Sequence, residues 1–266
     1  MVCTASDYPD WSHTPECSPD DESLRRTRHT GAVEVMTTIV IQQRMKSTRF
    51  PGKARAEIGG KTITEHIVDR AASVVGADNV VLAVPEGDDF GWAEGYACRI
   101  HYGPENDLLA RFWDAVVEGD HGTVVRLTGD CPFVPVDGIR SAISKIETPP
   151  AIYDYVETRS DPSARPNGID VQAFDRLLLG KAHAYATLPE QREHITPALI
   201  EHSRLSGIVS MIEGLWLDHL PYFRMTVDTP DDLASMQAIY EHCSPEPSLN
   251  EIISVHDNHP ELFLTK

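Results

Sequence analysis

Residues 37–41, Thr-Thr-Ile-Val-Ile, make a short run that ends in three large aliphatic side chains and is followed at once by polar residues. A run of this length reads as a strand buried on both faces. Similar runs recur at 79–84 and 123–127, with a shorter strand expected at 99–102. Between them the apolar spacing changes from continuous to helical. Ile67, Val68, Ala71 and Val75 share one face of a helix over 64–75, and Leu108, Leu109, Phe112 and Val116 share one face of a helix over 106–117. A further helix is expected over 88–98. This alternation predicts an α/β fold: a single open, mostly parallel sheet flanked by helices.

The second half is less regular. Strands are expected at 152–156 and 223–227, helices at 175–186 and 192–203, and a Pro- and Gly-containing loop at 160–168. The segment Thr229-Pro230-Asp231-Asp232 has the marks of a helix start: a capping hydroxyl, a proline for the first turn and two acids at the positive end. No linker separates the halves, so residues 36–266 read as one domain with an irregular insertion. Residues 1–35 are rich in Ser, Thr, Pro, Asp and Glu without apolar periodicity, and read as a disordered acidic tail. Met36 stands immediately before the first strand, so a start at Met36 stays open.

The first strand empties into a loop that carries Arg44, Lys46, Arg49 and Lys53, with Pro51-Gly52 as a bend. The whole chain has a formal charge of -18, so so basic a window departs from its surroundings. Guanidinium forks and an ammonium on a loop at the end of a strand suit phosphate oxygens. Such a site belongs at the carboxyl edge of an open parallel sheet. The acidic balance argues against a nucleic-acid-binding surface. No apolar run approaches membrane-spanning length and no signal-peptide pattern opens the chain, so a cytoplasmic location is the default. The five cysteines are scattered without a CxxC pair, which indicates neither a disulfide framework nor a zinc site.

Two carboxylates stand at the ends of expected strands: Asp130 in Thr128-Gly129-Asp130-Cys131-Pro132, and Asp228 just before the helix start. Each has a plain alternative role, Asp130 in its turn and Asp228 at the helix entry. If they meet in space, they suit one Mg²⁺, which takes a few carboxylates and keeps waters and substrate phosphates.

The string Arg44-Met45-Lys46-Ser47-Thr48-Arg49-Phe50-Pro51-Gly52-Lys53 resembles the N-terminal signature of the sugar cytidylyltransferases, in particular the spore-coat-polysaccharide and 3-deoxy-manno-octulosonate groups. Gly129-Asp130-Cys131-Pro132 and Val227-Asp228-Thr229-Pro230-Asp231-Asp232-Leu233 resemble two further segments of that family. So do Gly168-Ile169-Asp170-Val171-Gln172 and Arg192-Glu193-His194-Ile195-Thr196-Pro197, and more loosely the segment from Gly103 to Arg111, which lies near the base in the family. Thr128 stands where the octulosonate enzymes have Gln, and Gln172 stands where the spore-coat pattern has Glu.

The resemblance implies a nucleotide-diphospho-sugar transferase-like fold, with the irregular second-half insertion on the sugar side. It implies a Mg²⁺-dependent enzyme that transfers CMP from CTP to an acidic or phosphorylated sugar, releasing pyrophosphate. Arg44, Arg49 and Lys53 would act on the phosphates, and Ser47, Thr128 and Asp107 would help to bind the nucleotide. Asp170, Arg192, Glu193 and His194 would face the sugar, and Asp130 and Asp228 would hold the metal. The expected partners are CTP and a sugar, with no nucleic acid and no membrane insertion; a homodimer stays open. The alternative on the same fold is a nucleotide-sugar-dependent glycosyltransferase, which a metal-binding Asp-x-Asp would favour; Asp154 lacks that partner.

Overall fold

The computed structural model describes residues 36–118, 121–158, 167–209, 211–212, 215–217, 220 and 222–263. The expected tail, 1–35, and most of the expected loop at 160–168 lie outside the described residues.

The chain opens with β1 (Met36–Gln42), followed by a small hairpin of β2 (Glu57–Ile58) and β3 (Lys61–Thr62). Helix α1 (Ile63–Val75) leads to β4 (Val80–Pro85) and β5 (Arg99–Gly103), and α2 (Leu108–Val116) leads to β6 (His121–Thr128). Then come α3 (Val136–Glu147), β7 (Tyr155–Thr158), β8 (Gln172–Asp175), α4 (Arg176–Tyr185), α5 (Pro189–His194), α6 (Thr196–His202) and β9 (Ser206–Val209). Helices α7 (Pro230–Tyr240) and α8 (Leu249–Asn258) follow. Among the described residues, one seven-stranded sheet runs in the order β5-β4-β1-β6-β8-β7-β9. Only β8 runs antiparallel to its neighbours β6 and β7; the other pairs are parallel.

The continuous apolar strands divide their side chains between two cores, because successive residues point to opposite faces. Ile39 and Ile41 enter one core with Leu82, Val125 and Leu127, where α1, α3, α7 and α8 cover the sheet. Val40 enters the other with Val81, Ala83 and Val124, under α2, α4 and α6. Each fully buried aliphatic side chain contributes roughly 1.5–3 kcal/mol.

The order of the strands fixes where a crevice opens. From β1 the chain moves outward to β4 and β5 by way of α1 on one face. It then returns through α2 on the other face to β6, on the far side of β1. The strand order therefore reverses between the neighbours β1 and β6, and their carboxyl ends mark a topological switch point, where ligands of open α/β sheets bind.

Several expected elements differ. The helix at 88–98 is a single 3-10 turn, Gly91–Ala93. Gly87, Gly91 and Gly95 raise the entropic cost of helix there, and Gly87 takes a left-handed φ of 83°. The helix expected over 192–203 breaks at Ile195, because Pro197 has no N–H and its ring excludes a continuing helix before it. Ile195 takes φ 45°, a strained value for a β-branched residue, and its side chain is fully buried beneath α6.

The strand expected at 223–227 is extended but joins no sheet strand. It pairs through single residues: Asn167 N–H donates to Phe223 O (2.8 Å), Met225 N–H to Asn167 O (2.7 Å) and Val227 N–H to Asp130 O (2.8 Å). Phe223, Met225 and Val227 alternate into the core, which is why the sequence reads as a strand. Gly168, at φ 103°, lets this strap pass: a Cβ there would meet the Met225 carbonyl carbon at 2.9 Å. The strand expected at 152–156 lies at 155–158 instead, and α3, α8, β8 and β9 are elements that the sequence reading did not expect.

Candidate active site

The loop after β1 is held in a fixed shape by its own backbone and by one buried acid. Gly52 N–H donates to Met45 O (3.0 Å), with Gly52 in the left-handed region at φ 74°. Asp88 accepts from Met45 N–H at 2.7 Å from a buried position. Ser47 Oγ accepts from Phe50 N–H (3.3 Å), so this hydroxyl shapes the loop. At the strand's end Gln43 is buried, and its amide donates to Gly129 O (2.7 Å) and Thr64 Oγ1 (3.2 Å). Gly129 must lack a Cβ, which would sit 2.4 Å from Gln43 Cδ and 2.6 Å from Gln42 O. These contacts lock the carboxyl ends of β1 and β6 together.

A cleft of about 360 Å³ opens over that edge. Its walls include Arg44, Arg49, Lys53, Thr128, Asp130, Asp228, Glu193 and His194 among the expected residues. Asp107, Asp170, Arg192 and Ser47 are not among its lining residues. Gln42, Gln43, Pro85, Glu105, Asn106, Leu108, Arg111 and Gly129 complete the wall.

At one end of the cleft the two carboxylates meet on one ammonium. Lys53 Nζ lies 2.9 Å from Asp228 Oδ1 and 3.9 Å from Asp130 Oδ2, and it also donates to Val227 O at 2.9 Å. Asp228 is further paired with Arg49 (3.1 Å) and Arg224 (2.9 Å). Partial burial opposes ionisation of Asp228. The Lys53 hydrogen bond and the charges of Lys53, Arg49 and Arg224 outweigh it, and hold the carboxyl below its ordinary pKa.

Helix entry is handled by other groups. Thr229 Oγ1 caps the Asp232 N–H, and Asp232 Oδ2 accepts the N–H groups of Asp228 (2.9 Å) and Thr229 (2.8 Å). The Asp228 carboxylate is thus left to the cleft. Its hard oxygens and those of Asp130 are a donor set that fits Mg²⁺ completed by waters and phosphates. Among the described residues no group of three His, Cys, Asp or Glu side chains forms a self-sufficient metal cage.

Asp107 and Arg192 are brought together, but by each other: Arg192 Nε lies 2.6 Å from Asp107 Oδ2. The other Asp107 oxygen caps α2 at Ala110 N–H (2.9 Å), and Arg192 Nη1 donates to the carbonyls of His183 and Ala186, both at 3.2 Å. The pair ties α5 to α2 and so places Glu193 and His194 at the cleft. Asp170 stands before β8, and its charge acts on Arg126. Thr128 Oγ1 lies 3.2 Å from the buried Cys131 Sγ. Asp154 is taken up by Ser203 Oγ (2.6 Å) and the N–H groups of Arg204 (3.0 Å) and Leu205 (3.2 Å), so it anchors a turn. Arg55 and Lys61, which extend the basic window in the sequence, turn away: Arg55 lies over the Trp92 ring (5.0 Å) and Lys61 pairs with Asp69 (2.6 Å).

Sequence reasoning missed Gln43, Arg224 and Arg111. Gln43 and Arg111 line the cleft, and Arg224 pairs with Asp228. Gln43 and Arg224 had no local signal beyond their place next to a motif, and Arg111 closes the segment 103–111 without having been singled out.

Sheet order, two-sided helical cover and a cleft at the switch point define an open α/β protein of the nucleotidyltransferase type. The family model described as Cytidylyltransferase matches residues 38–266, and the chain belongs to that family. The chain is 27% identical over 233 residues to the spore coat polysaccharide biosynthesis protein SpsF of Bacillus subtilis, covering 84% of this chain and 94% of that protein. It is 24% identical over 217 residues to a 3-deoxy-manno-octulosonate cytidylyltransferase of Idiomarina loihiensis, covering 76% of this chain and 85% of the relative. A solved cytidylyltransferase from Leptospira borgpetersenii superposes with a TM-score of 0.74 at 26% identity, over 87% of this chain and 98% of that one.

Proposed function

We propose that this protein is a Mg²⁺-dependent, cytoplasmic cytidylyltransferase that transfers CMP from CTP to an acidic or phosphorylated sugar, in the synthesis of a surface polysaccharide or glycan. The observation that carries this reading is the meeting of Asp130, Asp228 and Lys53 in a cleft whose loop also presents Arg44 and Arg49. The relatives named for spore coat polysaccharide and octulosonate support a sugar acceptor. Among the described residues no helix is long and apolar enough to cross a membrane.

In the reaction a sugar hydroxyl oxygen attacks the α-phosphorus of CTP. The bond from the α-phosphorus to the bridging oxygen breaks, and pyrophosphate leaves. Arg44 and Arg49 are exposed on the loop, placed to hold the phosphate chain and to offset charge on the leaving pyrophosphate. Lys53 is buried against Val227 and Asp228, so its ammonium has a fixed position at the edge where the phosphates would lie. Asp130 and Asp228 would hold Mg²⁺, which, when bound, supplies added positive charge to the reacting phosphate. Glu193 and His194, carried by α5 to the cleft, are placed for the sugar. Alignment and charge carry such a transfer.

Pyrophosphate release, measured with each of the four nucleoside triphosphates against a panel of acidic and phosphorylated sugars, tests the reading. Release with CTP and one sugar class supports it. Turnover with the other nucleotides at equal rates, or none with CTP, removes it.

A further inference from the structure

Gln43 carries a side chain that the phosphate and metal chemistry above does not use. It stands one residue past the end of β1, lines the cleft and keeps only 3% of its surface exposed. A buried amide is costly unless its polar atoms find partners. Here all of them do. Oε1 accepts the Arg44 N–H at 3.0 Å, and Nε2 donates to Gly129 O at 2.7 Å and to Thr64 Oγ1 at 3.2 Å. Thr64, fully buried in the first turn of α1, passes the link on by donating to Ala54 O at 3.0 Å. Reversed, the amide would set its oxygen against the Gly129 carbonyl and its NH2 against the Arg44 N–H, so its orientation is fixed.

These partners lie on separate segments, each beside a group of the cleft. Arg44 opens the basic loop, Ala54 follows Lys53 in the 3-10 turn Lys53–Arg55, and Gly129 precedes Asp130. Arg44, Lys53 and Asp130 all line the cleft. The hub itself is anchored, because the Gln43 N–H donates to Ala83 O of β4 at 3.2 Å. The amide also lies directly against the main chain ahead of Asp130: a Cβ at Gly129 would come within 2.5 Å of Gln43 Nε2. If Gln43 only filled space, an apolar side chain of the same length would serve as well. Such a side chain cannot hold the Gly129 carbonyl or the Arg44 N–H.

We infer that Gln43 is a positioning residue for the transfer, whose amide fixes the main chain beside Arg44, Lys53 and Asp130 so that phosphates and Mg²⁺ meet a set already assembled. This rests on the cytidylyltransferase reading and adds the device that holds its parts in register. Groups ordered before the ligand arrives bind it without the cost of ordering them. A fully satisfied buried polar network supplies that rigidity.

The measurement is calorimetric binding of CTP and of inorganic tripolyphosphate, which has no base or ribose, each with Mg²⁺. It is made on the wild-type chain and on Gln43→Met, Gln43→Glu and Thr64→Val, with thermal melting to verify folding. Gln43→Met keeps the length and loses the amide. It should weaken both ligands by the same factor, about tenfold or more, the worth of one good hydrogen bond, and raise the Mg²⁺ concentration at half-saturation. Gln43→Glu opposes a carboxylate to the Gly129 carbonyl and should weaken both at least as far. Thr64→Val cuts only the link to Ala54 and should weaken both by a smaller factor. If Gln43→Met weakens CTP alone, Gln43 touches the nucleoside directly and the inference is overturned. Wild-type affinities in folded Gln43→Met and Gln43→Glu overturn it as well, since the amide then only fills space; in both cases the cytidylyltransferase reading stands. Should those two variants fail to fold, wild-type affinity for both ligands in Thr64→Val overturns the inference. A wild-type chain that binds neither ligand removes the reading and the inference together.

Discussion

Asp130 and Asp228 end two separate segments, and the strap N–H of Val227 donates to the carbonyl of Asp130 at 2.8 Å. That one backbone bond brings both carboxylates onto Lys53, at 3.9 Å and 2.9 Å. If they share Mg²⁺, Asp130→Asn and Asp228→Asn should each abolish turnover while the fold persists, with the Mg²⁺ requirement shifted upward in any residual activity. Helix entry is secured by Thr229 and Asp232, so Asp228 is not needed as the helix cap. An active Asp228→Asn enzyme with ordinary Mg²⁺ dependence would end the shared-metal hypothesis.

Lys53 has a structural burden besides its proposed catalytic one. It is 9% exposed and donates to Val227 O and Asp228. Lys53→Ala is expected to cost about 2 kcal/mol, because hydrogen bonds from charged groups are lost at a part-buried site. Denaturant unfolding reads this cost. Its effect on activity should fall on rate, with little change in the Mg²⁺ requirement.

The lowered pKa of Asp228 gives a pH signature. The folded value lies below that of the unfolded chain, about 3.9. The stabilisation from its three cationic partners is therefore complete above that pH and is lost as pH falls through the folded value. In metal-free buffer the stability gap between wild type and Asp228→Asn should be widest near neutrality and narrow below about pH 4. Unfolding free energies across that range check it; a constant gap would show that these cations do not bias the ionisation.

Asp107 tests whether a motif residue acts on substrate or on the frame. With one oxygen capping α2 and the other on Arg192, Asp107→Ala should lose about 1 kcal/mol or more of stability. CTP affinity should fall only as far as α5 moves. A full loss of CTP binding in a chain that melts normally would return Asp107 to the nucleotide.

Ligand binding should appear in melting as well. CTP with Mg²⁺ at a hundredfold above its Kd should add about 2.7 kcal/mol, since it binds only the folded chain. ATP and GTP at the same concentration should add much less. Equal shifts would argue against a base-selective cleft.

The strand cores at 37–42, 79–84 and 123–127 were legible because a strand buried on both faces must be apolar at consecutive positions. Helices α1, α2 and α7 were legible from their apolar faces or capping residues. Helix α3 was not expected, although Val136, Ile139, Ala142, Ile143 and Ile146 keep helical spacing; Gly138 and the adjoining Pro132 and Pro135 give the segment the composition of a loop. The segment at 223–227 carries the alternation of a strand but finds single-residue partners instead of a neighbour, and nothing local encodes which partner it meets.

The sequence by itself determined the layered α/β character, the basic loop after β1 and the two carboxylates at segment ends, because each is set by residue type within a few positions. Only the tertiary structure decided that Asp228 faces Lys53, Arg49 and Arg224 while Asp232 secures the helix, that Asp107 and Arg192 spend their charges on each other, and that Arg111 lies buried beside Gly103. Those outcomes depend on strand order and on which helix covers which face. They join residues far apart in the chain, and no local pattern carries that information.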